Sequence, residues 1–423
     1  MFCGSCMHDN TLARAILAGG DDALLVPCYS PIRVDEDNVS QRRVFLGGLN
    51  LFLDHKLPLW RRVPAALRRP LDHPAVLKLL TRLSGSSDAA QLGDLTLDLL
   101  RGEHGPLATE LPPLLDYLVD ELRPDAVLFS NALLGGILPS LRARYDGPIA
   151  CLLQGDDIFL DGLPERHRLA AIDAVGELAG QFDRFLTHSR FYAAYMAGYL
   201  DLPASRFATI PLGIDAESFG PAATPPPPTI GYFARRAPEK GLHHFVDAAL
   251  ALATRRPGPQ PRLLLGGYTH PKDATYAARQ LVRLQEAGFD LVDVGSPDTH
   301  DEKVAALRQC TIFSVPTDFL EPKGLPVLEA MACGVPCVQP EHGAFPELLQ
   351  TTGGGRLVPP HEPEALAEAW GDLLDEEPER RRLAERALSG VQEHYGMPAL
   401  AQRTLATFAE LRASSTDADE TRV

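Results

Sequence analysis

Beyond four consecutive prolines at 225–228, the chain alternates short apolar runs with helix-length segments in a way few folds can satisfy. The runs lie at 229–234, 262–266, 290–294, 311–316, 336–340 and 356–359, with helical segments near 241–255, 272–288, 300–309, 325–333 and 362–375. A strand that is apolar along its whole length must be covered on both faces, and helices between successive strands supply that cover. The pattern predicts a complete doubly wound α/β domain over residues 229–395. The prolines cannot continue a helix or a central strand, so 219–228 reads as a stiff linker.

The first half, residues 1–219, repeats the theme less regularly. Candidate strands fall at 23–26, 125–130, 149–154, 184–187 and 207–211, with a long insertion over about 35–115. A doubly wound domain normally begins with a buried strand, whereas residues 1–17 read as a loop leading into a helix. The expectation is that this domain's first strand is absent and that the true start lies upstream of Met1. Two domains suit 423 residues, which exceed one ordinary core.

A net charge of −16 argues against a nucleic-acid partner, because phosphate neutralisation needs a basic face. No apolar run is long enough to span a membrane and no signal peptide is visible, so the expected compartment is the cytoplasm. One local exception is basic: Lys56, Arg61, Arg62, Arg68, Arg69, Lys78 and Arg82 face a single acid, Asp72. The segment reads first as a solvated helical face, and second as a peripheral contact with anionic lipid or a lipid-linked acceptor. Seven widely spaced cysteines fit reduced thiols rather than a disulfide framework. Cys3 and Cys6 have redox spacing but no preceding strand, and they lack the further ligands a zinc site needs.

Two stretches carry chemistry. After the first strand of the second domain comes Tyr232-Phe-Ala-Arg235-Arg-Ala-Pro-Glu-Lys240-Gly241. It places two cations on a loop that opens a helix, a combination suited to a diphosphate. Later, Glu321-Pro-Lys323-Gly324-Leu325-Pro-Val-Leu-Glu329 begins a helix whose free N–H groups favour a negative ligand. Its two carboxylates are pure acceptors, which suits a ligand rich in hydroxyl donors. Taken singly, each of these charges reads better as an ordinary solvent-facing side chain.

Taken together, they carry a resemblance. The chain resembles glycosyltransferase family 4, retaining nucleotide-sugar-dependent enzymes of the GT-B fold, in which two Rossmann-like domains face each other across a cleft. Glu321 and Glu329, followed by Ala330-Met-Ala-Cys-Gly-Val-Pro336, match that family's paired-glutamate motif, and Arg235, Lys240 and Gly241 match its arginine–lysine-glycine element. Ile210-Pro-Leu-Gly213-Ile-Asp215, His342-Gly343-Ala-Phe-Pro-Glu347 and Gly353-Gly-Gly-Arg-Leu-Val-Pro-Pro360 match further segments in order.

The resemblance implies that Arg235 and Lys240 bind the donor diphosphate, that Glu321 holds hydroxyls of the transferred sugar, and that Glu329 binds the ribose. The backbone of Gly324 and Leu325 would approach the phosphates, and Gly4-Ser5 would be what remains of a glycine-rich donor loop. Asp156, in Gly155-Asp156-Asp157, would face the reacting sugar. It implies no metal or other cofactor, a carbohydrate or lipid-linked acceptor, and a C-terminal helix over about 396–423 that crosses back to complete the first domain. Lys323 departs from the pattern, since relatives carry an aromatic residue there. A non-catalytic or N-terminally truncated sugar-nucleotide-binding protein, or another GT-B enzyme such as a nucleotide-sugar epimerase, remains the alternative. The base, the sugar, the acceptor and the oligomeric state are open.

Overall fold

A computed structural model describes residues 4–28, 31–46 and 89–420 of the chain. The basic segment 56–82 and Cys3 lie outside the described residues. Among the described residues ten strands form two sheets, and every pairing within them is parallel.

The first sheet contains β1 (Val127–Phe129), β2 (Ile149–Leu152), β3 (Arg184–Thr187) and β4 (Phe207–Thr209), side by side in chain order. All four residues of β2 are buried, and Leu152 and Ala150 pack with Leu12 of the first helix, Gly4–Ala18. Residues 23–26, expected as a strand, do not join this sheet. Leu25 makes one isolated bridge to Ser40, and the carbonyls of Leu25, Pro27 and Cys28 accept N–H donors from Gln41, Phe45 and Leu46. The following loop satisfies this segment, and Pro27 removes a donor that a ladder would need. Among the described residues no strand precedes Val127.

The second sheet has all six expected strands: β5 (Thr229–Phe233), β6 (Arg262–Gly266), β7 (Leu291–Gly295), β8 (Ile312–Phe313), β9 (Cys337–Pro340) and β10 (Gly355–Val358). Their order is β10-β9-β8-β5-β6-β7, with the reversal of winding between β5 and β8. In an open α/β sheet that reversal leaves a crevice at the carboxyl ends of the strands. β8 is shorter than the apolar run that encodes it. Val315 N–H donates to the Gln339 side chain at 3.1 Å and Pro316 follows, so the ladder gives way to a side-chain bond just before the next loop. Helices Leu242–Arg255, Ala274–Glu286, His300–Leu307, Leu325–Ala332 and Pro363–Asp375 fall where the pattern puts them. Phe345–Thr352, where the apolar pattern placed no helix, is a further helix that starts with Pro346 in its first turn. Trp370 is fully buried in this core and donates to Ser314 Oγ at 2.9 Å.

The two halves touch at many points. The last helix, Met397–Glu420, packs on Gly4–Ala18, and its Leu400 lies against Gly213. Lys303 bonds Asp35 of the first half at 2.8 Å. Glu347 accepts the Arg190 and Phe191 N–H groups at 3.0 and 2.6 Å, so a carboxylate of one half caps the Arg190–Tyr199 helix of the other. No helix among the described residues is long and apolar enough to cross a membrane.

Candidate active site

The two stretches singled out in the sequence meet at the carboxyl ends of β5 and β8. Beyond β5 the chain passes Arg235 and a short turn, Pro238–Lys240, then bends at Gly241 into the Leu242–Arg255 helix. Gly241 has φ 69°, and a Cβ there would lie 1.6 Å from the Pro316 carbonyl oxygen, so only glycine lets the turn sit on the end of the β8 segment. That contact brings Lys240 to Glu321. The ammonium donates to Glu321 Oε2 at 2.9 Å and lies 4.3 Å from the centre of the Phe319 ring.

Glu321 is 7% exposed, and both of its oxygens are engaged. Its second oxygen accepts the N–H groups of Gly324 at 3.2 Å and Lys323 at 3.4 Å. Burial pushes the carboxyl up, but the Lys240 ammonium and the Gly324 N–H outweigh it, leaving Glu321 below its ordinary value and ionised. Its backbone is supported from beneath by the His342-Gly343 turn. Ala344 N–H donates to the Glu321 carbonyl at 2.8 Å, and a Cβ on Gly343 would come within 2.6 Å of Glu321 N and O.

Gly4, Ala234, Arg235, Lys240, Val315, Glu321, Lys323, Gly324, Leu325, Pro326, Val327 and Phe345 line a cavity of about 250 Å³. The first turn of the Leu325–Ala332 helix therefore forms one wall and contributes its N-terminal dipole. Arg235 pairs with Glu239 on the same loop, and Lys323 adds a third cation. Against Glu239 and Glu321 the lining carries one excess positive charge, and the Arg235 and Lys240 side chains stay 32% and 23% exposed. The arrangement can accept a diphosphate by exchange of partners. A larger recess of about 370 Å³ in the first half is lined mainly by leucine, alanine and proline, and by none of the residues singled out above.

Not every expected residue joins this wall. Glu329 is buried, and its Oε1 accepts from Lys303 Nζ at 2.9 Å. Lys303 also reaches Asp35 of the first half at 2.8 Å, and these neighbouring carboxylates raise its pKa despite its burial. Asp156 turns into its own domain: Oδ1 accepts from Ala132 N–H at 2.8 Å and Oδ2 from Gln154 N–H at 3.0 Å. Burial pushes its carboxyl up to about 6 in spite of those bonds. Asp157 beside it is held by the Tyr192 hydroxyl.

Sequence reasoning misses what faces the donor loop from the first half. Lys323 Nζ donates to Ser5 Oγ and to Gln154 Oε1, each at 3.3 Å, and Gln154 is itself held by its amide to Asp9 at 2.9 Å. His8 and His188 pack against each other nearby with rings tilted by 59° and centroids 4.2 Å apart, and burial lowers the pKa of both. Only the oddity of a lysine at 323 marked this contact in advance.

Comparison with known proteins agrees with this geometry. Residues 214–389 match the family described as glycosyl transferases group 1. The MMP alpha-(1->4)-mannosyltransferase of Mycolicibacterium hassiacum is 28% identical over 234 residues, 55% of this chain and 55% of that protein. The D-inositol 3-phosphate glycosyltransferase of Corynebacterium glutamicum is 31% identical over 161 residues, 38% of each. The matched stretch thus spans about half, or less, of the length of these curated relatives. Among solved structures, the sucrose-phosphate synthase of Thermosynechococcus elongatus superposes with a TM-score of 0.64 at 20% identity, over 96% of this chain and 92% of that one. Alr3699/HepE of Anabaena, in complex with UDP, gives 0.60 at 18% identity, over 73% and 84%. These likenesses establish the fold as GT-B.

Proposed function

From the match of residues 214–389 to the glycosyl transferases group 1 family, we propose that the chain is a retaining glycosyltransferase. It moves a sugar from a nucleotide-sugar donor to a carbohydrate or lipid-linked acceptor. The observation that carries this reading is the cavity where Arg235, Lys240 and the first turn of Leu325–Ala332 converge beside the ionised Glu321.

Each group has a defined task in such a transfer. As the bond between sugar and diphosphate breaks, negative charge grows on the leaving diphosphate. Arg235, Lys240 and the Gly324–Leu325 backbone are already in place to meet it, and little reorganisation is needed. Lys240 keeps donors beyond the one given to Glu321, so it can hold carboxylate and phosphate together. Glu321 accepts hydrogen bonds from hydroxyls of the transferred sugar. Glu329 takes the ribose hydroxyls with its free acceptor capacity, Lys303 fixing the carboxylate. Gly4 and Ser5 close the site from the opposite domain, which excludes water that would hydrolyse the donor. Asp156, turned into its own domain, bears on the site only by holding the Gln154 backbone N–H. No metal ion is needed for the diphosphate in this scheme. The enzyme would work in the cytoplasm, with segment 56–82 at a membrane surface when the acceptor is lipid-linked.

The test is a donor panel, led by UDP-sugars because the Anabaena neighbour holds UDP and followed by GDP-mannose because a relative is a mannosyltransferase. Release of nucleoside diphosphate or transfer to acceptor supports the reading. Arg235→Ala should lower turnover by about 100-fold or more. Tight donor binding with no turnover under any acceptor would sink the enzyme and leave a sugar-nucleotide-binding protein.

A further inference from the structure

Three segments that have no task in the scheme above bring three imidazoles onto one carboxylate. His243 and His244 open the helix after β5, Asp318 lies in the loop after β8, and His361 follows β10. His244 Nε2 lies 2.6 Å from Asp318 Oδ1, and His361 Nδ1 lies 3.2 Å from the same oxygen. The two ring nitrogens are 3.3 Å from each other. His243 Nε2 approaches the other carboxylate oxygen at 3.4 Å, and its Nδ1 is engaged by the Tyr276 hydroxyl at 2.8 Å.

We propose that His244, Asp318 and His361, with His243 as a fourth group, form a binding site for a divalent metal ion of the zinc class. The donor set is the one zinc prefers: neutral imidazoles and a carboxylate, drawn from separate segments. Bonds of about 2.0 Å in a tetrahedron place ligand atoms roughly 3.3 Å apart, which is the spacing of the two ring nitrogens and close to that of His361 and the carboxylate. The 2.6 Å between His244 Nε2 and Asp318 Oδ1 has a hydrogen bond's length, and a shared cation would open it by about 0.7 Å. Tyr276 serves as the outer partner that fixes the His243 ring and presents its Nε2. The other group of metal-type side chains among the described residues, Asp35, Glu36 and His300, is a weaker case. There Lys303 and Arg14 already neutralise the carboxylates at 2.8 and 2.6 Å.

The site is distinct from the donor cavity but attached to it. Asp318 is three residues before Glu321, and its N–H donates to the Glu239 carbonyl at 3.1 Å. A metal here would tie the loop that carries Glu321 to the helix that follows Lys240. The inference does not rest on the glycosyl-transfer reading and stands or falls without it.

The test uses the full-length chain stripped by chelator and titrated with Co²⁺ alone. The expected result is visible absorption of low-symmetry cobalt that saturates at one equivalent and is abolished by Zn²⁺. Zn²⁺ should also raise the melting temperature, since it binds only the folded state. His361→Gly removes one ligand while suiting the left-handed backbone at that position, φ 61°, and His244→Ala removes a second. Each should weaken cobalt binding by at least about tenfold. Cobalt binding to the wild type no tighter than to the double variant overturns the proposal. So do bands that persist unchanged in both single variants, which would put the metal on other groups.

Discussion

Lys240→Met separates the structural role of the Lys240–Glu321 pair from its role in binding a donor. Removing one partner from a buried ion pair costs about 3–5 kcal/mol, because the other charge is left without compensation. Two features reduce that figure here. The Lys240 side chain is 23% exposed, and the Gly324 and Lys323 N–H groups remain on the second Glu321 oxygen. The expected loss at neutral pH is therefore about 2 kcal/mol.

The pH dependence carries the sharper test. In the wild type Glu321 sits below its ordinary 4.5, so its contribution is present above that value and is lost as pH falls through the folded one. In the variant burial acts with less opposition and the carboxyl rises, so the unpaired charge destabilises the protein at neutral pH. Once the carboxyl is protonated in both proteins, the difference closes. Urea unfolding would be followed by the fluorescence of buried Trp370, with Trp60 replaced by Phe so that one indole reports. The stability gap should be widest near about pH 7.5 and should narrow towards about pH 4, closing fully only below the folded value of Glu321, which lies under 4.5. A gap of equal size at both values, or none at either, would refute an ion pair between these residues.

Two other contacts give separable outcomes. Lys303→Met leaves Asp35 and Glu329 facing each other with side chains 5% and 8% exposed, and should destabilise the protein by roughly 3–5 kcal/mol in urea unfolding; adding Glu329→Gln should recover part of that. Asp156, raised by burial to about 6 against 3.8 in an unfolded chain, holds its proton longer when folded. Stability from this residue is fully present below about pH 4 and falls as pH rises towards about 6, so melting temperatures of Asp156→Asn across that window should lack the slope seen in the wild type.

The second sheet is legible in the sequence because its four inner strands, β5, β6, β8 and β9, are buried almost throughout, which forces continuous apolar runs. β6 is the clearest case: four of its five residues are buried, and the run Arg-Leu-Leu-Leu-Gly has nowhere else to go. The first sheet is legible only in part. Residues 23–26 have the apolar content of a strand, but Leu24 is 45% exposed and the backbone is paired by the next loop. Composition alone cannot distinguish a strand that joins a sheet from an extended segment that folds back on its own loop. The Phe345–Thr352 helix is missed for a related reason. It is one short amphipathic stretch between two glycine turns, and it is held by Glu321 through Ala344 and by the first domain through Glu347, contacts far away in sequence.

The same distinction runs through the site. Arg235, Lys240, Glu321, Gly324 and Leu325 lie on loops whose geometry is set locally, by Gly241, Gly324 and the strand ends, and so a linear pattern can point to them. Lys323 is different, because its partners Ser5 and Gln154 are 318 and 169 residues away. In the sequence it is merely a third cation where an aromatic residue was expected. In the fold its ammonium donates to two polar groups of the opposite domain. An anion entering the cavity would therefore compete with Ser5 and Gln154 for the same ammonium. By that route occupancy of the donor cavity bears directly on the contact between the domains.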